Sequence, residues 1–406
     1  MSLATYYVMC KSVLGYYVRG KQLPSWDLKL QVFCDVVRYY SQLRFPECSD
    51  DDIDTIDFDQ MHRGFQSQPM PPTELSTKVG VYRGFAIDAD AQAIDPHTLD
   101  GLGLAEQPLR ALIEQDARCP RQIPCELVAS WTACAAHNIR RDSHKAALEP
   151  VPLANSEKIV LCLHGGAYVM GSPASHRETL GKFSACTGLR CLAIDYRLAP
   201  RHPFPAQFHD ALLAFYYLVA QGFKPKNILL LGDSAGGHLC VGLVMLLKHI
   251  AQSTGSQLRP GAVMLLSPMP GLLLDGDSLR TQAMFDYVAP TPLEWPNAPM
   301  RLLYKPGHKC TDEYRKELAY PLLTPVNGDL SGFPPTIVQC GGSEVLVDDI
   351  RKLAEKLQKD NHERVQVVYD EYPEMVHVFH RFSYRPEADA AFSRLAKFVA
   401  ELKQPS

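Results

Sequence analysis

Lys226-Asn227-Ile228-Leu229-Leu230-Leu231-Gly232-Asp233-Ser234-Ala235-Gly236-Gly237-His238 is the stretch whose reading decides the fold. A short apolar run, Asn227–Leu231, stops at a glycine and is followed by a G-x-S-x-G pattern. From His238 to Ile250 the chain is apolar almost all round, as a central buried helix would be. Strand, tight turn and helix in that order form the setting in which a serine is held on a strained elbow, with small neighbours letting strand and helix approach closely. The five-residue pattern alone is weak, because chance produces it in roughly one chain in ten of this length. Its position between a strand and a buried helix makes it specific and marks Ser234 as a nucleophile.

Working outward, the same rhythm repeats. Lys158–Leu163, Leu189–Ile194, Gly261–Leu266, Pro335–Gln339 and Val365–Tyr369 read as short strands, and Pro205–Ala220, Ser234–Ala251 and Asp348–Lys359 as helices between them. Apolar strands alternating with helices predict an α/β protein with a mostly parallel central sheet covered on both faces. The segment Pro270–Leu322 breaks the rhythm and carries Leu272, Leu273, Leu274, Trp295 and Tyr304, as an insertion covering a pocket would. Residues 1–150 read differently and are expected to form an N-terminal helical cap with its connection, leaving 151–406 as the catalytic domain. Within the cap, Leu30, Phe33, Val37, Tyr40 and Leu43 recur at helical spacing between Ser25 and Arg44, with Ser25 as the candidate N-cap. The acidic run Asp50, Asp51, Asp52 and Asp54 lacks the glycine and distal glutamate of a calcium loop and is expected to be solvated. Gln68–Thr73 is Pro-rich and reads as a connection.

Two further clusters complete a chemistry. His164-Gly165-Gly166-Ala167 follows the Lys158–Leu163 strand, where backbone N–H groups can meet a developing oxyanion. Gly165, Gly166 and Ala235 are the expected donors. His377 lies after the Val365–Tyr369 strand, the place of the general base in the order nucleophile, acid, histidine; His380 is its nearest rival. For the acid, either Glu344 or Asp348 could orient the imidazole. Glu344 lies on the loop just past a strand, whereas Asp348 and Asp349 open the next helix, where acids suit the helix dipole.

The bulk numbers agree with such a protein. The 406 residues suffice for a large domain with a cap, the net charge is −4 and no dense basic stripe suggests a nucleic acid. Twelve cysteines, irregularly spaced and without a C-x-x-C pair, give no support to zinc or a disulfide framework, and no N-x-[ST] site occurs. A reducing, cytoplasmic compartment is the expectation, with no metal and no cofactor. The apolar runs near the start are interrupted by Lys11, Arg19 and Lys21 and fall short of the roughly 18–20 residues that span a bilayer. They read either as a lid helix or as a helix lying on a membrane surface.

These residues resemble the hormone-sensitive-lipase-like group of α/β-hydrolases, a family of carboxylesterases and lipases. The likeness rests on His164–Ala167, on Gly232–Gly237, and on Asp195-Tyr196-Arg197-Leu198-Ala199-Pro200 with His202-Pro203-Phe204-Pro205-Ala206, and it covers about residues 155 to 402. It implies the α/β-hydrolase fold with N-terminal cap helices, Ser234 as nucleophile and His377 as base. The family's acid, usually Asp, falls on Glu344, which keeps Asp348 in contention. Ala167 replaces a third glycine, His238 stands where Asn is common, and Arg201 replaces Glu. The implied reaction is hydrolysis of a small or medium apolar carboxylic ester through an acyl-enzyme. An acyltransferase, lactonase or amidase using the same triad, and a non-catalytic receptor on the same scaffold, are the alternatives.

Overall fold

The computed structural model describes residues 3–45, 48–67, 75–76, 79–89, 94–119, 121–361 and 365–402. The connection read at Gln68–Thr73 lies outside them. Eight strands form one sheet: β1 (Gly80–Ala89), β2 (Arg121–Ser130), β3 (Ile159–Leu163), β4 (Arg190–Ile194), β5 (Ile228–Asp233), β6 (Ala262–Leu266), β7 (Thr336–Gly341) and β8 (Val367–Tyr372). Their spatial order is β1-β2-β4-β3-β5-β6-β7-β8. β2 runs antiparallel to both β1 and β4, and every other pair is parallel.

Side-chain alternation splits the core into two layers. Leu161 and Leu230 face the helices Ala206–Ala220 and Ala235–Thr254, meeting Phe208, Leu212 and Leu243. Val160, Leu229 and Leu231 face the opposite helices, meeting Phe183 of Arg177–Thr187 and Phe392 and Phe398 of Pro386–Glu401. Burial on both faces explains why the central strands read as continuous apolar runs.

The boundary expected near residue 150 moves. Residues 80–130 supply β1 and β2, which pair along ten positions, so the sheet begins at Gly80. Their reading was obscured because they form an edge: Arg83, Glu126, Gly84 and Pro124 interrupt any apolar run. The N-terminal helical part lies further upstream. It consists of α1 (Leu3–Arg19), α2 (Leu28–Arg44) and the Phe58–Ser67 helix.

Two local expectations also change. Asp27, rather than Ser25, caps α2, its side chain accepting from the Leu30 N–H at 2.8 Å. Ser25 instead donates its N–H to Glu374 at 2.7 Å. The acidic run forms a 3₁₀ turn, Asp50–Thr55, and is not wholly solvated. Asp50 pairs at 2.6 Å with Arg301, a buried residue of the Pro270–Leu322 insertion.

Candidate active site

β5 lies between β3 and β6, with Leu163 level with Gly232 and Asp233 level with Leu266. The loops that leave β3 and β5 therefore emerge side by side, at the carboxyl edge where open α/β sheets place their ligands. At the end of β5 the chain turns through Ser234, whose φ of 51° and ψ of −121° fall where L side chains are strained. Three hydrogen bonds hold that conformation. The Ser234 N–H donates to Leu266 O at 3.0 Å, and its carbonyl accepts from Met269 at 2.8 Å and His238 at 3.2 Å. Gly236 has to be glycine: a Cβ there would lie 1.9 Å from the Leu163 carbonyl oxygen.

The serine hydroxyl meets His377 Nε2 at 2.8 Å, and His377 Nδ1 meets Glu344 Oε2 at 2.7 Å. With its proton on Nδ1, the neutral imidazole donates to the carboxylate and accepts from the hydroxyl. Glu344 is fully buried, and its second oxygen accepts the Gly341 N–H at 3.1 Å. Burial alone would lower the His377 pKa. The hydrogen bond and charge of Glu344, joined by Asp286 and Asp233, outweigh that and hold it above the ordinary imidazole value.

The other sequence candidates lie elsewhere. Asp348 accepts from the Ser278 N–H at 2.8 Å and pairs with Arg351 at 2.7 Å, so it does not reach the imidazole. His380 turns away to Gln339, 3.1 Å distant, and burial pushes its pKa down to about 3. His238 shares a 2.7 Å hydrogen bond with the Tyr168 hydroxyl, and burial lowers it to about 4. It is a neutral partner of Tyr168 set behind the elbow.

One expected oxyanion donor is already engaged. The Gly165 N–H donates to Asp233 Oδ1 at 3.0 Å, so it is not free for a substrate. Burial would raise the Asp233 carboxyl, but His176, 3.1 Å away, with Arg381 and His164, holds it well below the usual carboxylate range. The next two amides, of Gly166 and Ala167, donate to no acceptor among the described residues, and both residues have positive φ, 122° and 54°. The Ala235 N–H, at the first position of its helix, lies beside Ser234. Sequence spacing could not show that a carboxylate 68 residues downstream claims the first amide of the run.

Sequence reading also missed Asp286. This buried carboxylate from the insertion accepts the His377 N–H at 3.2 Å and the Val345 N–H at 2.9 Å. No motif surrounds it. The adjoining Tyr287 ring sits 6.2 Å from the His377 ring and 5.5 Å from Phe33 of α2, giving the site an aromatic wall.

In sequence and in fold the chain is similar to known hydrolases. A model of the alpha/beta hydrolase fold family matches residues 160–381. An acetyl-hydrolase of Streptomyces hygroscopicus is 35% identical over 229 residues, 56% of this chain and 70% of that protein. An esterase of Acinetobacter venetianus is 30% identical over 302 residues, 74% of this chain and 91% of that protein. Among solved structures, an esterase from the bacterial hormone-sensitive lipase family superposes with a TM-score of 0.58 at 26% identity, covering 91% of this chain and 97% of that one.

Proposed function

The chain belongs to the α/β-hydrolase family as one of its hormone-sensitive-lipase-like esterases, and we propose that Ser234, His377 and Glu344 carry its cleavage of carboxylic esters. Ser234 Oγ attacks the ester carbonyl as its proton passes to His377 Nε2. The Glu344 carboxylate holds Nδ1–H and stabilises the imidazolium that forms. The Gly166, Ala167 and Ala235 amides bear the charge that develops on the carbonyl oxygen. His377 then returns the proton to the leaving alcohol, and water repeats the sequence on the acyl-enzyme. Relatives named esterase and acetyl-hydrolase favour water over another acceptor.

The observation that carries this reading is the unbroken line from the Ser234 hydroxyl through His377 to Glu344, with 2.8 and 2.7 Å links. The aromatic wall of Phe33, Tyr287 and Phe382 suits an apolar acyl or alcohol group. The test is hydrolysis of p-nitrophenyl esters of graded chain length by wild type and Ser234→Ala. The variant is expected to lose on the order of 10⁶ in kcat. A loss below about tenfold, against that expectation, sinks the assignment.

A second feature favours contact with a membrane. α1 turns Thr5, Ser12 and Gly15 inward, while Tyr6, Tyr7, Leu14, Tyr17 and Val18 point outward with 61% to 73% of their surface exposed. Lys11, Arg19 and Lys21 are the charges nearby, and the first acidic residue of the chain is Asp27. Aromatic and aliphatic side chains among basic ones fit an anionic bilayer surface. No helix among the described residues is long and apolar enough to cross a membrane. Flotation with phosphatidylserine-containing vesicles tests this, and a protein that stays at the bottom of the gradient refutes it.

A further inference from the structure

Asp286 stands where three parts of the molecule meet. Its carboxylate reaches the base loop through the His377 N–H at 3.2 Å and the acid loop through the Val345 N–H, next to Glu344, at 2.9 Å. It also faces the Val288 N–H at 3.5 Å. Its main chain is gripped from the cap: Arg38 of α2 donates to the Asp286 carbonyl at 2.7 Å and to the Phe285 carbonyl at 2.9 Å. An ionised carboxylate with 0% exposure is expensive unless its surroundings use the charge. Its two oxygens divide these bonds, Oδ1 taking the His377 and Val288 N–H groups and Oδ2 the Val345 N–H, so an amide with one acceptor oxygen would leave one of the two loops unmet. A carboxylate also adds negative charge beside an imidazole that becomes cationic in the reaction.

We infer that Asp286 is a positioning residue of the esterase site, tying the His377 loop to the Glu344 loop and stabilising the imidazolium, with its own place set by α2 through Arg38. This rests on the triad proposed above. It makes the cap helix α2 part of the catalytic alignment as well as a wall of the pocket. Burial would by itself keep His377 neutral. Against burial, Glu344, Asp286 and Asp233 raise its pKa; the other titratable or charged groups nearby are His380 on its own loop, Arg381 beside Asp233 and Tyr287, and Cys34 of α2 facing Asp286. Removing one of the three carboxylates therefore moves the titration of the base downward.

The test uses the full chain: kcat and KM against pH for Asp286→Asn, Arg38→Ala and Arg38→Lys, with fluorophosphonate labelling of Ser234 in wild type alongside. Asp286→Asn keeps the shape but only one of the two acceptor oxygens, and it removes the charge. It is expected to lose on the order of 10²-fold in kcat. KM should change by less than about threefold, and the acidic limb of kcat/KM should shift to lower pH. Arg38→Ala is expected to lose several-fold in kcat, and Arg38→Lys to recover part of it. Wild-type kcat and an unmoved acidic limb in Asp286→Asn overturn the inference. Should that variant fail to fold, Arg38→Ala at the wild-type rate overturns it instead. Failure of wild-type Ser234 to label would strike the triad itself, an outcome distinct from either.

Discussion

The first two helices are alike in length, 17 residues each, and lie against one another, yet they face opposite ways. α2 turns Leu30 and Cys34 inward, with Trp26 just ahead of it, onto Met375, Val376, Phe379 and Phe382 of the loop that carries His377. Polar ties reinforce this. The Trp26 indole N–H donates to Glu374 O at 2.7 Å, and Arg385 reaches Asp27 at 3.1 Å and Ser25 O at 3.0 Å. Among the described residues, none of α1 joins that cluster. It shows its small polar residues to the protein and its tyrosines and aliphatics outward. The difference teaches that the two N-terminal helices are unlike: α2 is packed onto the loop that carries His377, whereas α1 leaves an apolar face exposed.

The contrast can be broken or sharpened at several strengths. The ceiling on what misplacing His377 can cost is set by Glu344→Gln, expected to lower kcat by about 10⁴. Sign matters here. Glu344 favours the imidazolium, so its loss lowers the pKa of the base, and a pH profile should show the acidic limb moving down as the plateau falls. An unmoved limb would mean that another group sets it. Trp26→Ala comes next, since Trp26 is fully buried against the base loop. It is expected to destabilise by about 3–5 kcal/mol in denaturant unfolding. A loss below about 1 kcal/mol, small for a buried aromatic, would mean that α2 merely rests on the site.

The opposite result is expected of α1. Removing residues 3–19 should abolish flotation with anionic vesicles and leave kcat on a short soluble ester unchanged. If kcat falls with binding, the two helices are one unit. The smallest effect is electrostatic. Replacing Lys11, Arg19 or Lys21 by Gln should weaken vesicle affinity by about fivefold per charge at low salt, and the difference should shrink at high salt.

The parts of this molecule that were legible in its sequence are those whose chemistry is local. Ser234 stands at a strand-turn-helix junction whose signals are its own chain neighbours, and the central strands are apolar because both faces are covered. Glu344 could be preferred to Asp348 from its place just past a strand and from the family resemblance, and its carboxylate lies 2.7 Å from His377 Nδ1. What escaped reading depends on partners far along the chain. β1 is a mostly exposed edge strand, and β2 beside it mixes Arg121, Gln122, Pro124 and Glu126 into its buried positions. The engagement of the Gly165 amide needs Asp233. Asp286 has no motif because its role arises from two loops and a cap helix converging on it. Ser25 and Asp27 are both good capping types, and Asp27 takes the role because the helix begins at Leu28, directly after it.

The most direct measurement is labelling of the folded full-length protein with a fluorophosphonate probe, followed by peptide mapping and residual turnover. A single adduct on Ser234, with esterase activity falling in step with its occupancy, is the predicted result. An adduct on another residue, or full turnover with Ser234 occupied, would contradict Ser234 as the nucleophile.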